Sequence, residues 1–341
     1  MAFLPLGNTP NPSPLSDDAL VALAREQGEA LAAELERIRI LTREWTNEPL
    51  AEALVDAAMT RTMTALAASG RWGKENQPAS GAFWEPVEPL LRRGWLQHRA
   101  RTKPLGYAGD YELLEAICEH RQAADPLGGI FDRYFLAQAA PAAVASRTRQ
   151  ATSALVWHLY SRPVGEYRYV GFQPGPALDL RRACAMLDGE RLSCLRATLL
   201  DLDPGAADHA AAHLRKWLPS EAVSCPRENL FRLAARGLGE RFGTPHFLVC
   251  PGLFDYFDDA AAVANLAMFW NRLAEGGLMF VGNFAPHNPT RAYMEWVANW
   301  YLTYRGETQM RELAIAAGVP RSAFSVGSDR TGANLFLTAS K

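Results

Sequence analysis

One stretch constrains the fold of this chain more than any other. From Tyr167 to Asp203 it reads YRYVGFQPGPALDLRRACAMLDGERLSCLRATLLDLD. Tyr169, Val170 and Phe172 make a β-leaning run that enters a turn of Gln173, Pro174, Gly175 and Pro176. A helical pattern follows, and a second strand-like run, Ala197 to Leu200, closes on Asp201 and Asp203. Strand, glycine turn, helix, strand and acid in that order predict a nucleoside-binding βαβ unit. Gly175 lets the backbone approach a ligand with no side chain in the way. A carboxylate after the second strand accepts ribose hydroxyls, and Asp201 is placed for it; Asp203 lies at the adenine edge or in solvent. The plain alternative is an N-cap for the helix from Ala206.

The rest of the chain fits that unit into a larger α/β protein. Residues 1–15, rich in Pro and Asn, read as a loose arm, and Ser16 before Asp17 and Asp18 starts a helix. Helical spacing then covers about 19–46, 50–68, 84–98, 111–123 and 128–160, with 69–81 as a loop. Strands are expected at 167–172, 197–202, about 222–225, 246–251 and 277–282, followed by an antiparallel hairpin from Phe324 to Thr338. The division expected is therefore an arm (1–15), a helical cap (16–160) and an α/β domain (161–341). A formal net charge of -2 in 341 residues leaves no basic field for nucleic acid. No apolar run is long enough to span a membrane, and the N-terminus lacks the pattern of a signal peptide. Five cysteines without C-x-x-C spacing read as reduced thiols, which points to the cytoplasm.

Strand order and motif order resemble the class I S-adenosylmethionine (SAM) dependent methyltransferases, whose Rossmann-like, doubly wound sheet ends in an antiparallel strand. A narrower likeness rests on three segments: KPLGYAGDYE from Lys103, GLFDY from Gly252, and GNF from Gly282 with MEW from Met294 and WYLTYR from Trp300. Together they resemble a bacterial subfamily that includes enzymes proposed to make methyl esters of 3-hydroxy fatty acids. Enzymes that cyclise SAM to azetidine-2-carboxylate are similar in general build. One departure stands out. In the superfamily the first strand ends acid-x-Gly-x-Gly-x-Gly, and the acid faces the methionine amine. With Gly171 as first glycine, Tyr169 stands in the acid's place; with Gly175-Pro176-Ala177 matched to Gly-Pro-Ala, Gly171 does, and Gln173 replaces a glycine. In either register the carboxylate is missing. A carboxylate beside an amine favours its protonated form, so its absence leaves the amine freer to act as a nucleophile.

The resemblance implies SAM-binding roles for Gly171, Gln173, Gly175, Pro176, Asp201, Asp203, Asn229, Leu230, Pro251, Gly252 and Phe254. It implies reacting-centre roles for Asn283, Tyr107 and Tyr169. Tyr107 lies between two glycines in a segment suited to a lid, with Asp110 as a helix cap. Asn283 follows the fifth strand, where open α/β sheets bind ligands. Arg147 and Arg305 have the fork geometry to hold a carboxylate. Trp296, Trp300, Tyr301 and Tyr304 are spaced as one helix face. His209 and His213 are i, i+4, but no third metal ligand is evident, so no metal is expected. His287 is a weak candidate base, and Cys250 has no activating partner. The chemistry expected is displacement at a carbon of the SAM sulfonium. Methyl transfer to a small molecule, cyclisation of SAM with loss of methylthioadenosine, and a non-catalytic SAM sensor all stay open.

Overall fold

In the computed structural model, which describes residues 15–229, 233 and 243–341, the change of rhythm near Tyr167 is a change of architecture. Seven helices come first: α1 (Asp17–Leu41), α2 (Glu48–Ala67), α3 (Gln77–Leu91), α4 (Trp95–Thr102), α5 (Tyr111–Glu119), α6 (Pro126–Ala137) and α7 (Ala139–Tyr160). The Ser16 hydroxyl accepts from Ala19 N at 3.2 Å, and Asp17 and Asp18 sit in the first turn of α1. The buried face of α1 is Leu20, Ala24, Gly28, Leu31, Leu35 and Ile38, the apolar stripe of an amphipathic helix. A Cβ at Gly28 would stand 2.4 Å from the carbonyl oxygen of Phe83, so the bare backbone there is what lets α3 lie against α1.

The loop expected over 69–81 ends early, because Gln77 to Gly81 already belong to α3, for a local and a tertiary reason. Pro78 falls in the first turn of α3, where its missing N–H is no loss. The Ser80 hydroxyl is drawn inward to the carbonyls of Glu295 and Trp296. The helix expected over 128–160 is two helices, broken at Gln138 by an extended backbone. The helix expected over 84–98 is likewise the end of α3 and the start of α4.

The second part alternates: β1 (Tyr167–Phe172), α8 (Leu178–Cys184), α9 (Gly189–Cys194), β2 (Leu195–Leu200), α10 (Pro204–Leu214), β3 (Val223–Ser224), β4 (Phe247–Cys250), α11 (Asp259–Arg272), β5 (Leu278–Phe284), α12 (Arg291–Trp296), α13 (Glu307–Ala316), β6 (Phe324–Ser328) and β7 (Asn334–Ser340). They form one seven-stranded sheet of order β3-β2-β1-β4-β5-β7-β6. β1 to β5 are parallel neighbours and β7 runs antiparallel to β5, which is the Rossmann-like doubly wound sheet expected, with helices alone before it. The strand order reverses between β1 and β4, the switch point where such sheets bind ligands.

Alternation along β1 divides the core. Val170 and Phe172 join Leu248, Met279 and the apolar faces of α11 and α13 on one side. Tyr169 joins Leu180, Ala197, Ala210 and Phe247 on the other. The helical part has a third core, which takes in Phe284, Tyr293, Trp296 and Trp300 from the sheet part and so spans the two. Among the described residues, no helix is long and apolar enough to cross a membrane.

Gly282 of β5 is where the strand ends pack most tightly. A Cβ there would lie 2.3 Å from the carbonyl oxygen of Pro251. Gly282→Ala should therefore lower stability by about 2 kcal/mol in urea unfolding, the usual cost of overpacking. A loss below about 0.5 kcal/mol would mean that the end of β4 yields freely.

Candidate functional site

The segment after β1 is built for close approach. Gly171, Gln173 and Gly175 follow at every second position, and Gln173 and Gly175 have φ of 46° and 55°. Gln173 thus holds a left-handed conformation that a glycine would adopt without strain. This favours the register in which Gly171 is the first glycine and Tyr169 stands where an acid would be. Gln173 N donates to Leu200 O at 2.8 Å, tying the turn to the end of β2.

A cavity of about 640 Å³ opens at the carboxyl ends of β1, β4 and β5. The turn residues Gln173, Pro174 and Pro176 line one side, and Pro251 and Gly252 another. Tyr107, Ala108 and Gly109 close it from the helical part, and Trp300 to Thr303 form a strap along it. The three motif segments, far apart in sequence, thus converge on one space.

Tyr107 is brought to the cavity as expected, with an unexpected partner. Its hydroxyl donates to Asp203 Oδ2 at 2.7 Å, while Asp203 Oδ1 caps α10 through Gly205 N at 2.8 Å. Burial, then the bond to Asp203, pushes the Tyr107 phenol well above its ordinary range, so it is a donor and not a base. The segment around Tyr107 is held at further points. Lys103 Nζ donates to Asn299 O, Tyr256 Oη to Ala108 O, and Trp300 Nε1 to Tyr256 Oη. At Gly109, with φ of 68°, a Cβ would stand 2.6 Å from the Trp300 ring. Asp110 caps α5 through Glu112 N and Leu113 N, and its carboxylate also pairs with Arg99.

Asp201 is buried behind the glycine turn and does not line the cavity itself. Burial raises its carboxyl to about 6, against the pull of the Asp203, Gly175 and Leu202 amides that point at it. Asn229 is half-buried and also off the cavity, and Leu230 lies outside the described residues.

Four further expected contacts are also placed elsewhere. Asn283 is fully buried: its Nδ2 donates to Phe284 O and Thr303 O, and its Oδ1 accepts from Arg305. Every polar atom of that side chain is used by protein, so Asn283 holds the strap and not a ligand. Phe254 packs inside the core against Phe257 and Phe269. Gly171 is covered by the Tyr169 ring, and Tyr169 itself is fully buried with its hydroxyl on Asp179. Trp296, Trp300, Tyr301 and Tyr304 share no helix face, because α12 ends at Trp296 and Asn299 takes φ of 50°. Only Trp300 and Tyr301 of that set reach the cavity.

The two candidate arginines part company. Arg305 is 1% exposed and saturated by Phe254 O, Phe257 O, Asn283 Oδ1 and Asp259. Arg147 lines the cavity, and its one recorded ion pair is a loose 3.7 Å contact with Asp255. Asp255 is buried on the same wall and accepts from Phe284 N at 2.6 Å. Burial lifts its carboxyl to about 7, with Arg147 pulling the other way. Asp179 and Asp255 were the acids the sequence reading passed over. Each is a lone carboxylate between apolar residues at the start of a helical turn, a signal easily taken for a cap.

The helix pair His209 and His213 does acquire a third neighbour, Glu115 of α5. Glu115 is also engaged by Arg181 and Arg121, which makes it the hub of a charge cluster joining α5, α8 and α10. His287 is exposed beside Gly332, away from the cavity. Burial pushes the Cys250 thiol up, so it is no nucleophile.

No protein-family model matches the sequence, and no curated protein matches it. Solved structures do resemble it. A Bordetella parapertussis structure described as a possible exported protein is 17% identical, with 97% of this chain and 99% of that chain covered at a TM-score of 0.56. A putative O-methyltransferase from Nostoc punctiforme is 13% identical, covering 74% and 72% at 0.46. The SAM-dependent methyltransferase SibL in its apo form is 14% identical, covering 93% and 96% at 0.43. At such identities the likeness is one of fold.

Two outcomes follow from this geometry. Tyr107→Phe removes a hydrogen bond to a charged acceptor, worth roughly 1.5–3 kcal/mol, so amide exchange in residues 103–110 should rise at least tenfold. Unchanged exchange would mean that the other contacts hold the lid alone. Asp255 has a folded pKa of about 7 against an ordinary 3.8, so the native state keeps its proton longer. The stability tied to that proton is full below about 4 and is lost as pH rises through about 7. Asp255→Asn should therefore gain in Tm relative to the parent between pH 5 and 8, and parallel Tm profiles would refute the assignment.

Proposed function

We propose that this chain transfers the methyl group of SAM to an oxygen or nitrogen of a small-molecule acceptor that carries a carboxylate. The observation that carries the reading is one juxtaposition. A glycine turn at the switch point, with a buried acid behind it, opens into a cavity that also presents an under-partnered guanidinium. The residues present suit the group. Gly175 leaves the backbone bare, Asp203 offers an acceptor once Tyr107 moves aside, Asp201 stands buried just behind the turn, and the cavity has the size of a small-ligand site.

When bound, SAM supplies an electrophilic methyl group on a sulfonium, a strong leaving group. The chain's own part is alignment and exclusion. Arg147, buried on α7 and without a hydrogen-bond acceptor among the described residues, is the group to which we assign the acceptor's carboxylate. Trp300 and Tyr301 line the wall, where an aromatic face over a sulfonium would contribute about 1 kcal/mol of cation–π attraction. The lid from Lys103 to Asp110 shuts out water, which would otherwise compete as acceptor. In this reading residues 16–160 are the cap and 161–341 the catalytic domain. The acceptor is a free small molecule of the cytoplasm.

A second reading, cyclisation of SAM, has one observation in its favour: neither Tyr169 nor Gly171 supplies the strand acid that would keep the amine protonated. Incubation with SAM alone separates the two. Methyl transfer expects no product until a carboxylic acid acceptor is added, and then S-adenosylhomocysteine. Methylthioadenosine above spontaneous breakdown would overturn it in favour of cyclisation. Asp201→Ala should weaken SAM binding at least tenfold in calorimetry, about 1.4 kcal/mol, and unchanged affinity would remove the ribose assignment.

A further inference from the structure

We infer that Asp179 is the carboxylate that receives the ligand's cationic amine, standing in for the strand acid this chain lacks, and that Tyr169 positions it. The inference rests on the SAM-binding reading and deepens it.

Tyr169 and Gly171 lie on the same face of β1, two residues apart. A Cβ built on Gly171 would meet Tyr169 Oη and Pro174 Cβ, each at 3.1 Å. The phenol, standing where a strand acid would be, thus lies across the place from which a side chain at 171 would project. The same phenol, fully buried and stacked on Phe247, donates to Asp179 Oδ2 at 2.7 Å. Tyr169 therefore fixes a carboxylate that comes from α8 instead of from the strand.

Asp179 is 5% exposed, and it lines the cavity. Among the described residues, no Lys, Arg or His is recorded in an ion pair with it. On α8 itself Arg181 is spent on Glu115 and Arg182 donates to Cys118 O, while Arg147 of α7 keeps its loose contact with Asp255. Its donors are all neutral, the Tyr169 hydroxyl and the backbone amides of Leu180 and Asp179, and Arg182 lies near without pairing with it; a buried carboxylate held in this way gains from a cation that comes to it. Burial accordingly pushes the Asp179 carboxyl up, which an incoming ammonium would reverse. A primary ammonium has three donors and suits the free lone pairs.

The placement bears on the chemistry. An amine held against Asp179 is stabilised as ammonium and has no lone pair to attack its own chain. The nucleophile must then be a second molecule, as methyl transfer requires.

Calorimetry with two probes tests this: S-adenosylhomocysteine, and its des-amino analogue, which lacks only the amine. The parent protein should bind S-adenosylhomocysteine at least tenfold more tightly. Asp179→Asn should remove that preference, leaving affinity for the des-amino analogue within about twofold. Tyr169→Phe should erode the preference in the same direction, and it carries the comparison if Asp179→Asn does not fold. Equal binding of the probes by the parent, or equal weakening of both by Asp179→Asn, would overturn the assignment while leaving the SAM-binding reading intact. Binding of neither probe by the parent would overturn both.

Discussion

The site depends on one buried guanidinium. Arg305 reaches back from the strap to the carbonyls of Phe254 and Phe257, to Asn283 Oδ1 and to Asp259. Its planar fork can satisfy several acceptors at once, which a lysine could not. Through those contacts it holds together the turn after β4, the end of β5 and the strap from Trp300. Arg305 N to Phe284 O and Thr303 N to Asp255 O continue the same stitching along the backbone. Asn283 owes its burial to this arrangement: its side chain bridges Thr303 O and Arg305 and so faces inward.

With that frame set, the charges around the cavity become intelligible. Asp179, Asp255 and Arg147 are all buried, and only Arg147 and Asp255 are paired, at a loose 3.7 Å. In a low-dielectric space such groups interact strongly with whatever enters. The lid from Lys103 to Asp110 completes the enclosure. Its tie to Asp203 uses an acid that the ribose reading assigns to the ligand.

Much of the fold was legible from periodicity and turn chemistry. The strands expected at 167–172, 197–202 and 277–282 agree within a few residues with β1, β2 and β5, and the closing hairpin is β6 and β7. These are buried runs bounded by Gly, Pro and Asp, whose local preferences agree with their surroundings. The segment 69–81 misled because its Gly, Ser and Pro read as loop, while Ser80 is held by carbonyls that only tertiary packing brings near. Tyr107, Gln173, Pro176, Pro251 and Gly252 line the cavity from places the sequence marks, after strand ends or beside glycines. Phe254 and Asn283 turn inward because neighbours on other elements take up their side chains, Phe257 and Phe269 for the one and Thr303 and Arg305 for the other.

The sequence by itself determined the order of elements, the glycine turn, the acids after β2 and the helical character of the first part. Those follow from local preference and from the spacing of apolar residues, which act over a few positions. Which polar side chains face the cavity was decided by the tertiary structure alone. The charge of Arg305 is consumed inside the protein while that of Arg147 is left at the cavity wall, and Tyr169 surrenders its hydroxyl to Asp179. The reason is physical: a buried polar group is fixed by the partners that satisfy it, and those partners come from distant parts of the chain.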